Sequence, residues 1–280
     1  MPPSSSSLPS SLASSLVVPL WPDRARPSMR VCFPTEVNDG SSRPAMVVLR
    51  GGGYSTPFGS GAGAAEWAAA HGMVGLEVEY GTRASGDSYP QGYADAARAL
   101  RLVRAHAAQW AIDPTRVGLM GFSAGGHLAS LLSTQPSLHI DPRDELAPRL
   151  SARPDLVVLA YPVISFIDGY HPGAYASSVD NFFGHRDPDE PARRRFSSEL
   201  HVTADHPPVF LWTTADDAIV PASHSTLFAD ACRRAGIPLA FTLYPTGPHG
   251  MGLALDAPAP VREWTIQLLE WLPQQWHHPR

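Results

Sequence analysis

The sequence predicts an α/β fold in which a mostly parallel sheet carries helices on both faces. Three observations lead there. Short apolar runs alternate with helical patterns along 280 residues, the arrangement left by strand–helix–strand crossovers. One run, Val117-Gly118-Leu119-Met120, feeds Gly121-Phe122-Ser123-Ala124-Gly125-Gly126 and then an Ala- and Leu-rich helix reaching about Thr134. Two later strand candidates are each followed by a reactive side chain, Asp216 or Asp217 after one and His249 after the other.

Met46-Val47-Val48-Leu49 reads as a buried strand that ends at Arg50-Gly51-Gly52-Gly53, and a small-residue helix follows over Ala64 to His71. Met73 to Tyr80 is the next strand. Tyr93 to Ala111 reads as one long helix, with Ala97, Leu100, Val103 and Ala107 on one face, and Asp113-Pro114 breaks it. Strands are expected over Arg116–Phe122, Asp155–Tyr161, Val209–Thr214 and Leu239–Tyr244. Helices are expected over Ala222–Ala235 and Pro260–Leu272. Two segments rich in Pro, Asp, His and Arg, 135–153 and 165–206, are too long for ordinary connections and are expected to form lid or cap insertions. Residues 1–15, mostly Ser, Pro and Leu, read as a flexible tail, and 16–280 as one domain.

Composition narrows the function. A hydrophobic fraction of 44%, a charged fraction of 17% and a net charge of −5 describe a globular chain without a basic stripe, so nucleic acid is not an expected partner. No apolar stretch approaches the ~20 residues that cross a bilayer, and no signal segment is recognised, so a cytoplasmic location without membrane association is expected. Cys32 and Cys232 lie far apart and read as free thiols, with a single disulfide as the alternative.

Ser123 carries the chemical signal. A serine hydroxyl is a weak nucleophile and needs a sharp, exposed turn where a base and a substrate both reach it. Small flanking residues let that turn close, and Gly121 and Gly125 supply them. A base and an orienting acid should follow in the order Ser, Asp or Glu, His. His249, in the glycine-rich turn Thr246-Gly247-Pro248-His249-Gly250, is the expected base. Asp217 is the expected acid and Asp216 the alternative; otherwise either caps the helix near Ala222 or satisfies loop amides. His127, one turn past Ser123, reads as a packed helix residue. An oxyanion would rest on the backbone N–H of Gly52 or Gly53 together with that of Ala124. A phosphate loop is the other reading of the three glycines, but Tyr54-Ser55-Thr56-Pro57 interrupts its pattern. Neither an H-E-x-x-H nor a helical histidine pair is present, so no catalytic metal is expected. Glu77 and Glu79 share one face of their strand; Glu79 either supports the site or meets an arginine.

On these residues the chain resembles the α/β-hydrolase superfamily. More narrowly, it is similar to the acetyl-esterase and acetylxylan-esterase-like branch, near the bifunctional deacetylase/feruloyl esterases. The resemblance runs from Leu20-Trp21-Pro22 through Gly51-Gly52-Gly53-Tyr54, Tyr89-Pro90, Trp110-Ala111-Ile112-Asp113-Pro114, Gly121 to Ala129, Tyr161-Pro162-Val163-Ile164-Ser165 and Asp216-Asp217 to His249-Gly250-Met251-Gly252-Leu253. It implies Ser123 as nucleophile, Asp217 as acid, His249 as base, and the Gly52, Gly53 and Ala124 amides as oxyanion hole. It also implies a cofactor-free serine hydrolase that cleaves short-chain acyl esters of sugars or small alcohols through an acyl-enzyme. A peptidase or amidase of the same fold, or a non-catalytic binding protein, is the alternative, and a homo-oligomer is possible. Two departures from the family pattern, Arg50 before the glycines and Tyr80-Gly81-Thr82-Arg83 after the following strand, lie near the expected pocket.

Overall fold

The apolar runs become strands whose two faces are both covered. The computed structural model describes residues 15–35, 41–167 and 176–276. Among these, β1 (Ser15–Trp21), β2 (Arg24–Cys32), β3 (Arg43–Leu49), β4 (Val74–Glu79), β5 (Ile112–Phe122), β6 (Leu156–Ala160), β7 (Val209–Thr214) and β8 (Leu239–Tyr244) form one sheet in the order β1-β2-β4-β3-β5-β6-β7-β8. From β4 to β8 every neighbouring pair is parallel.

Successive residues of the central strands alternate between two cores. Ala45, Val47 and Leu49 of β3 join Val117 and Leu119 of β5 in one core. That core is closed by α2 (Gln91–Ala105), α3 (Ala124–Thr134) and α6 (Ser223–Arg234). Met46 and Val48 join Met120 and Phe122 in the other, under α1 (Ala64–Ala70) and α7 (Trp264–Trp276). Burial on both faces explains why these strands read as continuous apolar runs.

The sequence-based reading departs from the structure in three places. It omits the antiparallel hairpin β1–β2, which pairs to β4 through Ser28↔Glu79 and Cys32↔Gly75. In β2 Met29 and Val31 are buried while Ser28 and Arg30 beside them are only half-buried, so no apolar run marks it. Ser15 belongs to β1, while the rest of the expected tail lies outside the described residues. Helix α2 stops at Ala105, six residues early. Ala111 has φ 51°, its carbonyl accepts from Arg43 N–H at 2.8 Å, and β5 starts at once at Ile112.

The third departure is the lid expected over 135–153. That segment runs alongside α2 instead. Asp144 is buried and takes 2.6 Å hydrogen bonds from both Arg98 and Arg101, while Arg104 holds the carbonyls of Ser151 and Arg153. The described part of the other expected insertion contains α4 (Ala176–Phe183) and α5 (Glu190–Arg195). Its Phe182 and Phe196 pack into an aromatic cluster with Tyr54, Tyr89 and His127. Residues 168–175 of that insertion lie outside the described residues.

Candidate active site

Six parallel strands, β3 to β8, end at one edge of the sheet, and the site is assembled from loops at that edge. Ser123 connects β5 to α3 with φ 52° and ψ −118°. A non-glycine residue in this region stores roughly 1–3 kcal/mol of strain, so neighbours must hold it there. Its N–H donates to Ala160 O at 3.1 Å, and its carbonyl accepts from the N–H groups of His127 and Val163, also at 3.1 Å. The flanking glycines are sterically required. A Cβ on Gly125 would stand 2.2 Å from Leu49 O, and one on Gly121 would stand 2.4 Å from Gly125 O.

His249 comes from the loop after β8 and Asp217 from the loop after β7. His249 Nε2 lies 2.8 Å from Ser123 Oγ, and His249 Nδ1 lies 2.7 Å from Asp217 Oδ2. With an ionised Asp217 that can only accept, the Nδ1 position carries the proton and Nε2 faces the serine hydroxyl as an acceptor. The Asp217 side chain is fully buried. Burial alone would push its carboxyl up, but the His249 hydrogen bond and the N–H groups of Val220 and Ile219 outweigh it and hold it below the usual range. Those two N–H groups reach Asp217 Oδ1 at 2.9 Å each.

Asp216 has a different place. Its Oδ1 accepts from Gly247 N–H at 2.8 Å, while Thr214 Oγ1 donates to Gly247 O at 2.7 Å. It braces the base of the histidine loop. Neither aspartate caps α6, whose N-cap is Ala222 with no side-chain hydrogen bond.

The three glycines after β3 lie against the serine, since a Cβ on Gly51 would fall 3.1 Å from Ser123 Cβ. Gly52 O accepts from Ser55 and Thr56, and Gly53 O from Asn181 Nδ2. The N–H groups of Gly52, Gly53 and Ala124 have no hydrogen-bond partner among the described residues, so three donors stay available for an anionic oxygen.

Arg50 braces this loop. Its guanidinium donates to Phe58 O at 2.9 Å and Gly59 O at 2.8 Å and lies 3.7 Å from Glu77, and Gly59 N–H returns to Gly51 O. Glu79 meets Arg26 at 3.0 Å and accepts from Ser28, the second of the two sequence-based readings. His127 is packed, as expected. Its Nε2 faces Phe196 O at 2.8 Å, Tyr54 OH reaches Nδ1 at 2.6 Å, and burial lowers its pKa to about 3. Cys32 and Cys232 are buried free thiols.

Sequence reasoning gave no role to Tyr161, whose ring stands edge-on to His249 at 4.9 Å. The available signal was its position, directly after an apolar strand and before Pro162. No described helix is long and apolar enough to cross a membrane, and no three His, Cys, Asp or Glu side chains are grouped to hold a metal ion among the described residues.

This strand order, with a serine on the β5–α3 turn and an acid and a histidine after later strands, defines the α/β-hydrolase class. Within it, a profile of the BD-FAE family matches residues 31–232, and the chain belongs to that family. Over 225 residues it is 36% identical to endo-1,4-beta-xylanase B of Butyrivibrio fibrisolvens, covering 78% of this chain and 34% of that one. Over 227 residues it is 32% identical to an acetylxylan esterase of Xylanibacter ruminicola, covering 79% and 43%. The chain thus spans less than half the length of these curated relatives. The crystal structure of an acetyl ester-xyloside bifunctional hydrolase from Caldicellulosiruptor lactoaceticus superposes with TM-score 0.80 at 33% identity, covering 92% of this chain and 96% of that one. A Lactobacillus plantarum carboxylesterase superposes with TM-score 0.75 at 23% identity and shares the fold.

Proposed function

We propose that this chain hydrolyses carboxylic esters through an acyl-enzyme on Ser123, and that the acyl group is short, such as acetyl on a sugar or small alcohol. The carrying observation is the unbroken hydrogen-bond chain Asp217–His249–Ser123, with links of 2.7 and 2.8 Å. In the first half-reaction Ser123 Oγ attacks the ester carbonyl as His249 Nε2 takes its proton. Charge builds on the former carbonyl oxygen, which the N–H groups of Gly52, Gly53 and Ala124 receive. The C–O bond to the alcohol then breaks and His249 protonates the leaving oxygen. In the second half, His249 takes a proton from water, the hydroxide attacks the acyl carbon, and Ser123 recovers its proton as the acid leaves. Asp217 stays ionised, holding the imidazole and balancing its transient charge.

The short-acyl, sugar-ester part draws support from relatives named acetylxylan esterase and acetyl ester-xyloside hydrolase. Ser123→Ala should lower kcat on p-nitrophenyl acetate by about 10⁴-fold or more; unchanged turnover would overturn the mechanism. Across acetyl to octanoyl esters, with an acetylated xyloside alongside, kcat/KM should be highest for acetyl. A flat profile, or one rising with chain length, would overturn the short-acyl assignment.

A further inference from the structure

We propose that Tyr161 is a positioning residue whose phenol joins the glycine loop to the histidine loop and thereby sets His249 over Ser123. The proposal rests on the reading above of Ser123 and His249 as the reacting pair. Tyr161 is the first residue after β6, the strand hydrogen-bonded beside β5. Its φ is 37°, a left-handed conformation that a bulky residue adopts only when its surroundings impose it. The backbone is held in place because Tyr161 N–H donates to Trp212 O at 2.7 Å.

The side chain reaches two loops at once. Its oxygen accepts from Gly252 N–H at 2.7 Å, three residues beyond His249. It also lies beside the Ser60 side chain. Ser60 belongs to the glycine loop, where its carbonyl accepts from Gly51 N–H at 2.9 Å and its Oγ lies 2.5 Å from the point a Gly51 Cβ would occupy. The two loops meet there, since a Cβ on Gly252 would stand 3.3 Å from Gly61 N. The ring is wedged between Trp212 at 5.0 Å and His249 at 4.9 Å, edge-on to each.

The histidine loop needs such a fixture. It contains Gly247, Gly250 and Gly252, all at positive φ, and its near end is already pinned at Gly247 by Thr214 and Asp216. Tyr161 pins the far end. A phenylalanine would keep the ring contacts but leave the Gly252 N–H without its acceptor. Burial raises the phenol well above its ordinary pKa, so it stays neutral and acts by position, not by proton transfer.

The test compares the full chain with Tyr161→Phe, Ser60→Ala, the double variant and Ser123→Ala on p-nitrophenyl acetate. Each is followed by thermal unfolding and by the low-field proton NMR signal of the His249 Nδ1–H. A displacement near 1 Å at a reacting group lowers rates by up to about 10²-fold. Tyr161→Phe is therefore expected to lose about ten- to a hundredfold in kcat with KM nearly unchanged. It should melt as a folded protein, with the His249 signal shifted or broadened. Ser60→Ala should lose less, and the double variant no more than Tyr161→Phe alone, because both remove one shared junction. Wild-type kcat with an unshifted His249 signal in Tyr161→Phe would overturn the proposal, as would losses that multiply in the double variant. Should Tyr161→Phe not fold, Ser60→Ala decides: a lowered kcat with a shifted signal supports the junction, and neither overturns it. An inactive Ser123→Ala beside an unaffected Tyr161→Phe sinks only this inference, whereas an active Ser123→Ala sinks the catalytic reading beneath it.

Discussion

Two adjacent aspartates end up with different partners because a turn points consecutive side chains in different directions. Asp217 turns inward, loses its water and is compensated by an imidazole and two backbone N–H groups. Asp216 remains exposed and holds Gly247. Asp217→Asn should therefore lower kcat by about 10⁴-fold, as expected when the imidazole loses its tautomer control. Asp216→Asn should stay within about tenfold, because the Gly247 N–H keeps an oxygen to donate to. Equal losses in the two variants, measured as kcat on one ester, would contradict this division. Sequence order alone could not separate the pair, since both directly follow β7. It could single out His249, because a histidine between glycines after a strand is free to reach back across the sheet.

At the scale of elements, the turn after β5 was legible because sterics leave little choice there. Gly125→Ala would drive a Cβ against the Leu49 carbonyl, which belongs to backbone and cannot swing aside. It should cost about 2–3 kcal/mol in chemical denaturation; an unchanged midpoint would show that β3 and α3 separate freely. Arg50, expected near the substrate pocket, spends its hydrogen bonds on Phe58 and Gly59 of its own loop. Arg50→Ala should lower kcat by loosening that loop while leaving the acyl-chain-length profile unchanged, and an altered profile would place the guanidinium against the acyl group. Other elements were illegible for physical reasons. The β2 strand buries one face up to Cys32 at its end, and its arginines obscure the alternation. Residues 135–153 read as a lid because the segment is rich in Pro, Asp, His and Arg and too long for an ordinary connection, whereas Asp144 is neutralised by Arg98 and Arg101, more than forty positions away.

For the whole molecule, the alternation of apolar runs and helices carried the fold class, and the order Ser123, Asp217, His249 carried the candidate site. Long-range pairings such as Tyr161 with Ser60 and Gly252 were beyond it. Buried titratable groups make stability depend on pH. Burial lowers His127 to about 3 and His206 to about 4, against about 6.5 in an unfolded chain. Between those values the unfolded state binds more protons, so stability is full above pH ~6.5 and falls as the pH drops toward ~4. Asp95, pushed up to about 6 by burial, works the other way: its contribution falls as the pH rises from ~4 to ~6. Two histidines with wider windows outweigh one aspartate. Urea midpoints should therefore decline below pH 6.5, less steeply in His206→Gln and more steeply in Asp95→Asn. Midpoints flat between pH 7 and 4.5 would contradict these burials.

The central claim is that Ser123 is the nucleophile of an ester hydrolase, and covalent labelling tests it most directly. Treating the chain with a fluorophosphonate and mapping the adduct by peptide mass spectrometry should place one phosphonyl group on Ser123, with no labelling in Ser123→Ala and much slower labelling in His249→Ala. No adduct, or an adduct on another residue, would contradict the account.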